Sequence, residues 1–207
     1  MSDNQLKTNE SIASYGIGLQ MGQQLVQSGF ENLDTNAISK GIEDSLKNIQ
    51  PEISVEKINE ALQELHSKTQ EKKSMQAKEA AKKGQEFLEK NKTENPNISV
   101  TSSGLQYEII TEGQGETPKS SDKVRVHYHG QLIDGTVFDS SVTRGQPAEF
   151  PVNGVIKGWV EALQMMPVGS KWKLYIPHEL AYGENGAGAA IPPSSALIFE
   201  VELLDII

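Results

Sequence analysis

Apolar residues first recur along this chain at helical spacing. Ile12, Tyr15, Leu19 and Val26 form one row with Ile17, Met21 and Leu25 beside it, the wide stripe of an amphipathic helix beginning near Ser11. Gly16, Gly18 and Gly22 interrupt that stripe. Each costs about 1 kcal/mol against alanine inside a helix, so the pattern points to close approach by another helix. A second helix is predicted after Asp34 or Thr35, with Ile38, Ile42, Leu46 and Ile49 on one face. It should stop at Gln50-Pro51, because the residue before a proline is pushed out of the α region. A third starts near Ser54, a suitable N-cap, and aligns Val55, Ile58, Leu62 and Leu65. Beyond His66 the stripe lapses into Lys, Glu, Gln and Ala, all strong helix formers, with no proline before Pro96. One helix from Ser54 to about Asn91 follows, ~57 Å long at ~1.5 Å per residue. Its distal part is expected to be a solvated strut that touches little except through Met75, Phe87 and Leu88.

Past Asn95-Pro96-Asn97 the period falls to two. Leu105 to Thr111 alternates, and Val124, Val126 and Tyr128 then oppose Arg125, His127 and His129. Trp172, Leu174 and Ile176 oppose Lys171, Lys173 and Tyr175, while Leu197, Phe199, Val201 and Leu203 oppose Ile198, Glu200 and Glu202. One short helical stretch, about Lys157 to Leu163, lies between the strands. Strands dominate without a repeated strand-helix alternation, which predicts an α+β chain: a helical N-terminal part with a long connecting helix, then a mostly antiparallel sheet wrapped around one short helix. The predicted boundaries are 1–53, 54–93 and 99–207, with the core of the last part at about 122–207.

Composition agrees with that division. Of twelve aromatics in the 207 residues only Tyr15, Phe30 and Phe87 precede Val100, and seven of nine prolines follow it. Two short helices and the foot of a third bury little, and oligomerisation is a common remedy for so thin a core. Homodimerisation through the glycine-bearing first helix is therefore expected. The net charge of -9 is the wrong sign for neutralising phosphates, so no nucleic-acid partner is expected. The chain has no cysteine, which removes disulfides, thiolate metal sites and cysteine nucleophiles. The N-terminal sequence carries neither a basic nor an apolar leader, and no apolar run approaches the ~20 residues of a membrane helix. A cytoplasmic protein without a membrane partner is expected.

Reactive constellations are scarce. His127 and His129 lie two apart on one strand face, but no third His or Cys is near, so they are read as surface or structural histidines rather than a metal site. The glycine-rich stretch Tyr182 to Ala190 lacks the Lys-Ser/Thr ending of a phosphate loop and runs into Ile191-Pro192-Pro193 rather than a helix. No GxSxG or HExxH signature occurs. Asp139, in FDSS, is an acid that could equally cap a turn. What remains is a set of bulky aromatics separated by turns: Tyr128, Phe138, Phe150, Trp159, Tyr182 and Phe199.

With their flanking residues these aromatics resemble a known family. HYHGQLIDGTVFDSS, FPVNGVIKGWVEAL, MPVGSKWKLYIP, LAYGENGAG and IPPSSALIFEVELL are similar, in order and spacing, to the signature of the FKBP-type peptidyl-prolyl cis/trans isomerases, over about Ser102 to Ile207. ASYGIGLQMGQQL, the small second helix, the long charged helix and TSSGLQYEIITEG resemble the N-terminal part of the Mip-like (macrophage infectivity potentiator) subgroup, in particular its small cytoplasmic bacterial members, which are homodimers joined by intertwined N-terminal helices. The resemblance implies an isomerase acting on X-Pro bonds of unfolded or folding proteins, with no cofactor and no metal, and with macrolides such as tacrolimus and rapamycin as inhibitors. It implies Trp159 as the floor under the proline ring, with Tyr128, Phe138, Phe150, Val155, Ile156 and Phe199 as walls. The Ile156 backbone N–H and the Tyr182 hydroxyl would hold substrate carbonyls. Asp139 would contact the region of the reacting amide beside Arg144 and Tyr128, and Ile191 would flank the substrate. Ala148, Gly154 and the stretch Ala187 to Ala190 depart from the pattern of the small eukaryotic members. The rival reading is a chaperone or binding module for unfolded proteins whose isomerase activity is incidental.

Overall fold

The computed structural model describes residues 7–207; residues 1–6, on which part of the N-terminal reading falls, lie outside the described residues. The described chain forms two compact units, one up to Lys73 and one Ser74–Ile207, so the division falls inside the long helix.

In the first unit, α1 (Asn9–Ser28) starts on Thr8, whose hydroxyl accepts from the Ser11 N–H at 3.2 Å while Ser11 answers the Thr8 backbone, a reciprocal cap. Gly29, at φ 77°, closes the helix by donating to the Val26 carbonyl. Asp34 caps α2 (Thr35–Leu46) by accepting from the Asn36 and Ala37 amides at 2.8 and 3.2 Å. The apolar row continues to Ile49, but α2 ends at Leu46 because Asn48 takes a left-handed conformation (φ 53°), which an asparagine side chain tolerates. Ser54 begins α3 (Val55–Glu94) by accepting from Lys57 at 3.4 Å. Within this unit the foot of α3 holds the end of α1: Lys72 pairs with Glu31 at 2.6 Å, Lys73 reaches the Ser28 carbonyl at 3.3 Å, and Phe30 meets His66 edge-on at 4.9 Å. No residue of α1 or α2 is buried. None of the described helices is long and apolar enough to cross a membrane.

The second unit is a sheet of β1 (Ser99–Val100), β2 (Gln106–Thr111), β3 (Lys123–Leu132), β4 (Val137–Ser140), β5 (Ala148–Pro151), β6 (Lys171–Ile176) and β7 (Leu197–Ile206). Their order is β1-β2-β6-β7-β3-β4, with β5 also on β3, and every pairing is antiparallel. Between β4 and β5 sits the single turn α4 (Ser141–Arg144); α5 (Lys157–Leu163) packs against the core face of the sheet and buries Gly158, Trp159, Ala162 and Leu163. Gly158 allows this approach, since a Cβ there would stand 2.6 Å from the Ile176 side chain. The predicted inward residues of β3, β6 and β7 all join one buried core with α5.

On the opposite face the structure departs from the solvated strut. Ala77, Ala80, Ala81, Gly84, Phe87, Leu88 and Asn91 of α3 are shielded while their neighbours are exposed. Gly84 is buried against Ala196, Phe87 leans on Tyr175 with ring centres 6.0 Å apart, and Gln106 bonds both the Leu88 carbonyl (2.8 Å) and Asn91 (3.1 Å). Tyr175, predicted on the polar face, is buried for this reason.

Candidate functional site

Antiparallel pairing collects side chains far apart in sequence into one cup. Tyr128 comes from the middle of β3, Phe138 and Asp139 from β4, Phe150 from β5, Trp159 from α5 and Phe199 from β7. Val155 and Ile156 form the extended link into α5, where the Ile156 carbonyl accepts from the Trp159 and Val160 amides. Tyr182 and Ile191 stand at the two ends of a loop pinned by a bridge between Ala187 and Ile191. Together these residues line a cavity of ≈ 630 Å³, with Gly154, Ala187 and Ala190 completing the rim. Every site residue implied by the resemblance borders it except Arg144.

Trp159 is the centre of the aromatic packing. Its ring meets those of Phe199 at 5.3 Å, Tyr128 at 5.5 Å and Phe150 at 6.0 Å, each within about ten degrees of perpendicular, and Phe138 stands on Phe199 at 5.4 Å. These edge-to-face contacts fix the indole at the base of the cup. Its Nε1–H is buried and finds no acceptor among the described residues. Aromatic and aliphatic side chains make up most of the walls, the right lining for a small saturated ring.

One charged cluster interrupts them. The Tyr128 hydroxyl donates to Asp139 Oδ2, Arg144 Nη1 donates to Asp139 Oδ1, and Arg144 Nη2 donates to the Tyr128 oxygen at 2.9 Å. The guanidinium also lies 5.6 Å from the Tyr128 ring centre. Arg144 thus stands behind the wall and neutralises Asp139. Burial pushes the pKa of Asp139 up, but hydrogen bonds from Tyr128 and Arg144 outweigh it and hold the carboxyl below its ordinary range. Burial pushes the Tyr128 hydroxyl up, reinforced by its bond to Asp139, and burial with the Asp139 charge does the same to Tyr182. At neutral pH Asp139 is an anion and both tyrosines keep their protons. His127 and His129 face away from the cup, where their Nδ1 atoms bond Ser141 Oγ at 3.1 Å and Ser140 Oγ at 3.0 Å.

Sequence reasoning missed Gly130. A Cβ there would fall 2.6 Å from Phe199 and 2.7 Å from Phe138, so the two rings can stand as they do only over a bare backbone. A glycine inside a strand pattern was the available signal. Gly130→Ala is expected to displace both rings and cost about 1–3 kcal/mol through overpacking. Thermal unfolding measures the loss, and an unchanged melting temperature would refute the account.

Comparison with known proteins bears on what such a cup does. The family model for FKBP-type peptidyl-prolyl cis-trans isomerase matches residues 114–204, and the model for the domain amino terminal to FKBP-type peptidyl-prolyl isomerase matches residues 10–109. The chain is 55% identical over 200 residues to the FKBP-type 22 kDa peptidyl-prolyl cis-trans isomerase of Escherichia coli, covering 97% of both chains. It is 40% identical over 205 residues to the outer membrane protein MIP of Legionella longbeachae, covering 97% of this chain and 87% of the relative. The crystal structure of FkpA from Escherichia coli superposes with a TM-score of 0.69 at 38% identity, covering 97% of each chain.

Proposed function

The chain belongs to the FKBP-type peptidyl-prolyl cis-trans isomerases, and from that premise we propose that it works as a Mip-like homodimer that accelerates X-Pro rotation in folding proteins through the cup around Trp159. The activity itself is that of its family: it is a peptidyl-prolyl isomerase. Rotation about an X-Pro bond is opposed by amide resonance, a barrier of ~18–20 kcal/mol that leaves the uncatalysed step on the scale of tens to hundreds of seconds. Resonance places negative charge on the carbonyl oxygen, a form that water favours, whereas the twisted amide is less charge-separated. A dry cup that takes the twisted form more readily than the planar one lowers the barrier by differential binding.

In this reading Trp159 is the floor beneath the proline ring. Tyr128, Phe138, Phe150, Val155, Ile156 and Phe199 exclude water around it, while Tyr182 and the Ile156 amide hold flanking carbonyls. Asp139 faces the rotating amide, and Arg144 keeps its charge fixed from outside. The observation that carries the proposal is convergence: residues drawn from seven separate segments border one apolar cavity with a single ion-paired carboxylate among them. Refolding of a protein limited by proline isomerisation tests it. The protein should speed that phase, and tacrolimus, filling the same cup, should abolish the gain; acceleration untouched by saturating tacrolimus would reject the cup as the site.

Asp139 adds a pH signature. Its folded-state acidity is stronger than in the unfolded chain, so its ionised, paired form persists above the ordinary carboxylate range and is lost only as pH falls through the depressed value. The value of kcat/KM for a short peptide is therefore expected to stay level from neutrality down to about pH 5 and to fall only below the ordinary carboxylate range of ~3.9. Asp139→Asn should remove that acid limb; a limb that persists in the variant would assign it to another group.

A further inference from the structure

We infer that Ser141 and Ser140, each tied to a histidine of β3, are positioning residues that set the Asp139–Tyr128–Arg144 cluster in the wall of the cup. The inference rests on the reading of that cup as the isomerase site. The strand register places His129 opposite Ser140 and Gly130 opposite Asp139, after which the chain leaves the ladder to form α4. At that exit the Tyr128 N–H has no strand carbonyl across from it. Ser141, wholly buried, supplies the missing acceptor: its Oγ takes the Tyr128 N–H at 2.8 Å, lies 3.1 Å from His127 Nδ1 and 3.3 Å from the Tyr128 carbonyl. Ser140, also buried, lies 3.0 Å from His129 Nδ1 and 3.4 Å from the same carbonyl, and caps α4 by accepting from Thr143 at 3.2 Å.

The geometry makes these contacts a clamp. Both peptide groups of Tyr128 are held by hydroxyls that immediately follow Asp139 in the chain. The same cap starts the single turn that carries Arg144 back to Asp139, and Gly145 at φ 69° ends it. Three members of the polar cluster thus depend on one corner, and the two histidine side chains meet its serines from the outer face. His127 lies opposite Glu202 and His129 opposite Glu200 on β7, with Lys171 and Lys173 beyond them on β6, so each ring has an acidic neighbour across the ladder as well as its serine.

The clamp is read out on Asp139 itself, apart from activity. In full-length protein labelled at the aspartate carboxyl carbons, the NMR titration midpoint of Asp139 is expected below the ordinary carboxylate range. Ser141→Ala and His127→Leu should move it up toward the ordinary value and lower kcat/KM for a short X-Pro peptide by about three- to tenfold, the worth of one net hydrogen bond. His127→Asn, which keeps a side-chain N–H at the reach of Nδ1, should stay within about twofold of the parent on both measures. His127 is half-buried at the surface, so its variants test the clamp even where loss of the buried hydroxyl unfolds the domain. An Asp139 midpoint that stays put in folded Ser141→Ala or His127→Leu overturns the inference, whatever activity does. A midpoint that moves without loss of activity leaves the clamp standing and removes Asp139 from the reaction.

Discussion

Trp159→Ala is expected to reduce kcat/KM for a short X-Pro peptide at least tenfold and to destabilise the C-terminal unit by roughly 3–5 kcal/mol. The two effects have separate causes. Stability falls because the indole is nearly fully buried and touches Tyr128, Phe150 and Phe199, which cannot all collapse into the space left. Activity falls because the floor of the cup is gone. The three ring methylenes of a proline represent about 2.4 kcal/mol of burial at ~0.8 kcal/mol each, and loss of little more than half of that in the transition state is a factor of ten. Trp172→Ala separates these causes. Trp172 is equally buried in the same core, stacked on Tyr107 at 4.5 Å, but does not border the cup. It should lower the denaturation midpoint comparably and leave the activity of folded molecules within about twofold. Equal loss of activity per folded molecule in the two variants would reject Trp159 as the floor.

Much of this arrangement is readable from the chain because the strands of the C-terminal unit obey one rule. Each inward residue is apolar and each is two positions from the next, so the sequence pattern places β3, β6 and β7 and groups the aromatics between turns. What escaped notice has a common physical origin. Gly130, Ser140, Ser141 and Gly84 are small, and their value lies in what stands across from them rather than in their own hydropathy. The sheet-facing side of α3 is the plainest case. Its stripe of Ala77, Ala80, Ala81, Gly84, Phe87, Leu88 and Asn91 has helical spacing, but lysine and glutamate on the remaining faces hide it, and its partners Gln106, Tyr175 and Ala196 lie far along the chain. The glycine was the legible clue, since a glycine within a long helix otherwise costs about 1 kcal/mol without benefit. Tyr175 was misassigned to solvent by the same omission. Arg144 shows the reverse limit: its membership of the polar cluster was readable, whereas its position behind the wall required the turn of α4.

The packing of α3 on the sheet also decides where the chain should be cut to learn what the N-terminal unit contributes. Cutting at Ser102 would strip Phe87 from Tyr175 and both hydrogen-bond partners from Gln106, so any loss of function would be confounded with instability. The fragment Ser74–Ile207 keeps those contacts and the entire buried core. It is expected to sediment as a monomer and the full chain as a dimer, because Ile12, Tyr15, Ile17, Leu19 and Val26 of α1, all more than half exposed, depart with the first 73 residues. A short peptide occupies one cup and should be turned over by the fragment within about twofold of the full-length rate. An unfolded protein can engage two linked cups, and linkage of weak sites raises avidity by 10²–10⁴ without altering the chemistry, so acceleration of proline-limited refolding should fall about tenfold or more in the fragment. Equal refolding activity in the two forms would sink the role assigned to the dimer. The rival assignment, client binding with incidental catalysis, diverges on a different substrate: if the full chain carrying Trp159→Ala still protects an aggregating protein that lacks prolines as well as the parent does, binding and isomerisation reside on different surfaces. The exposed apolar rows of the N-terminal helices, rather than the cup, would then be the surface that meets clients.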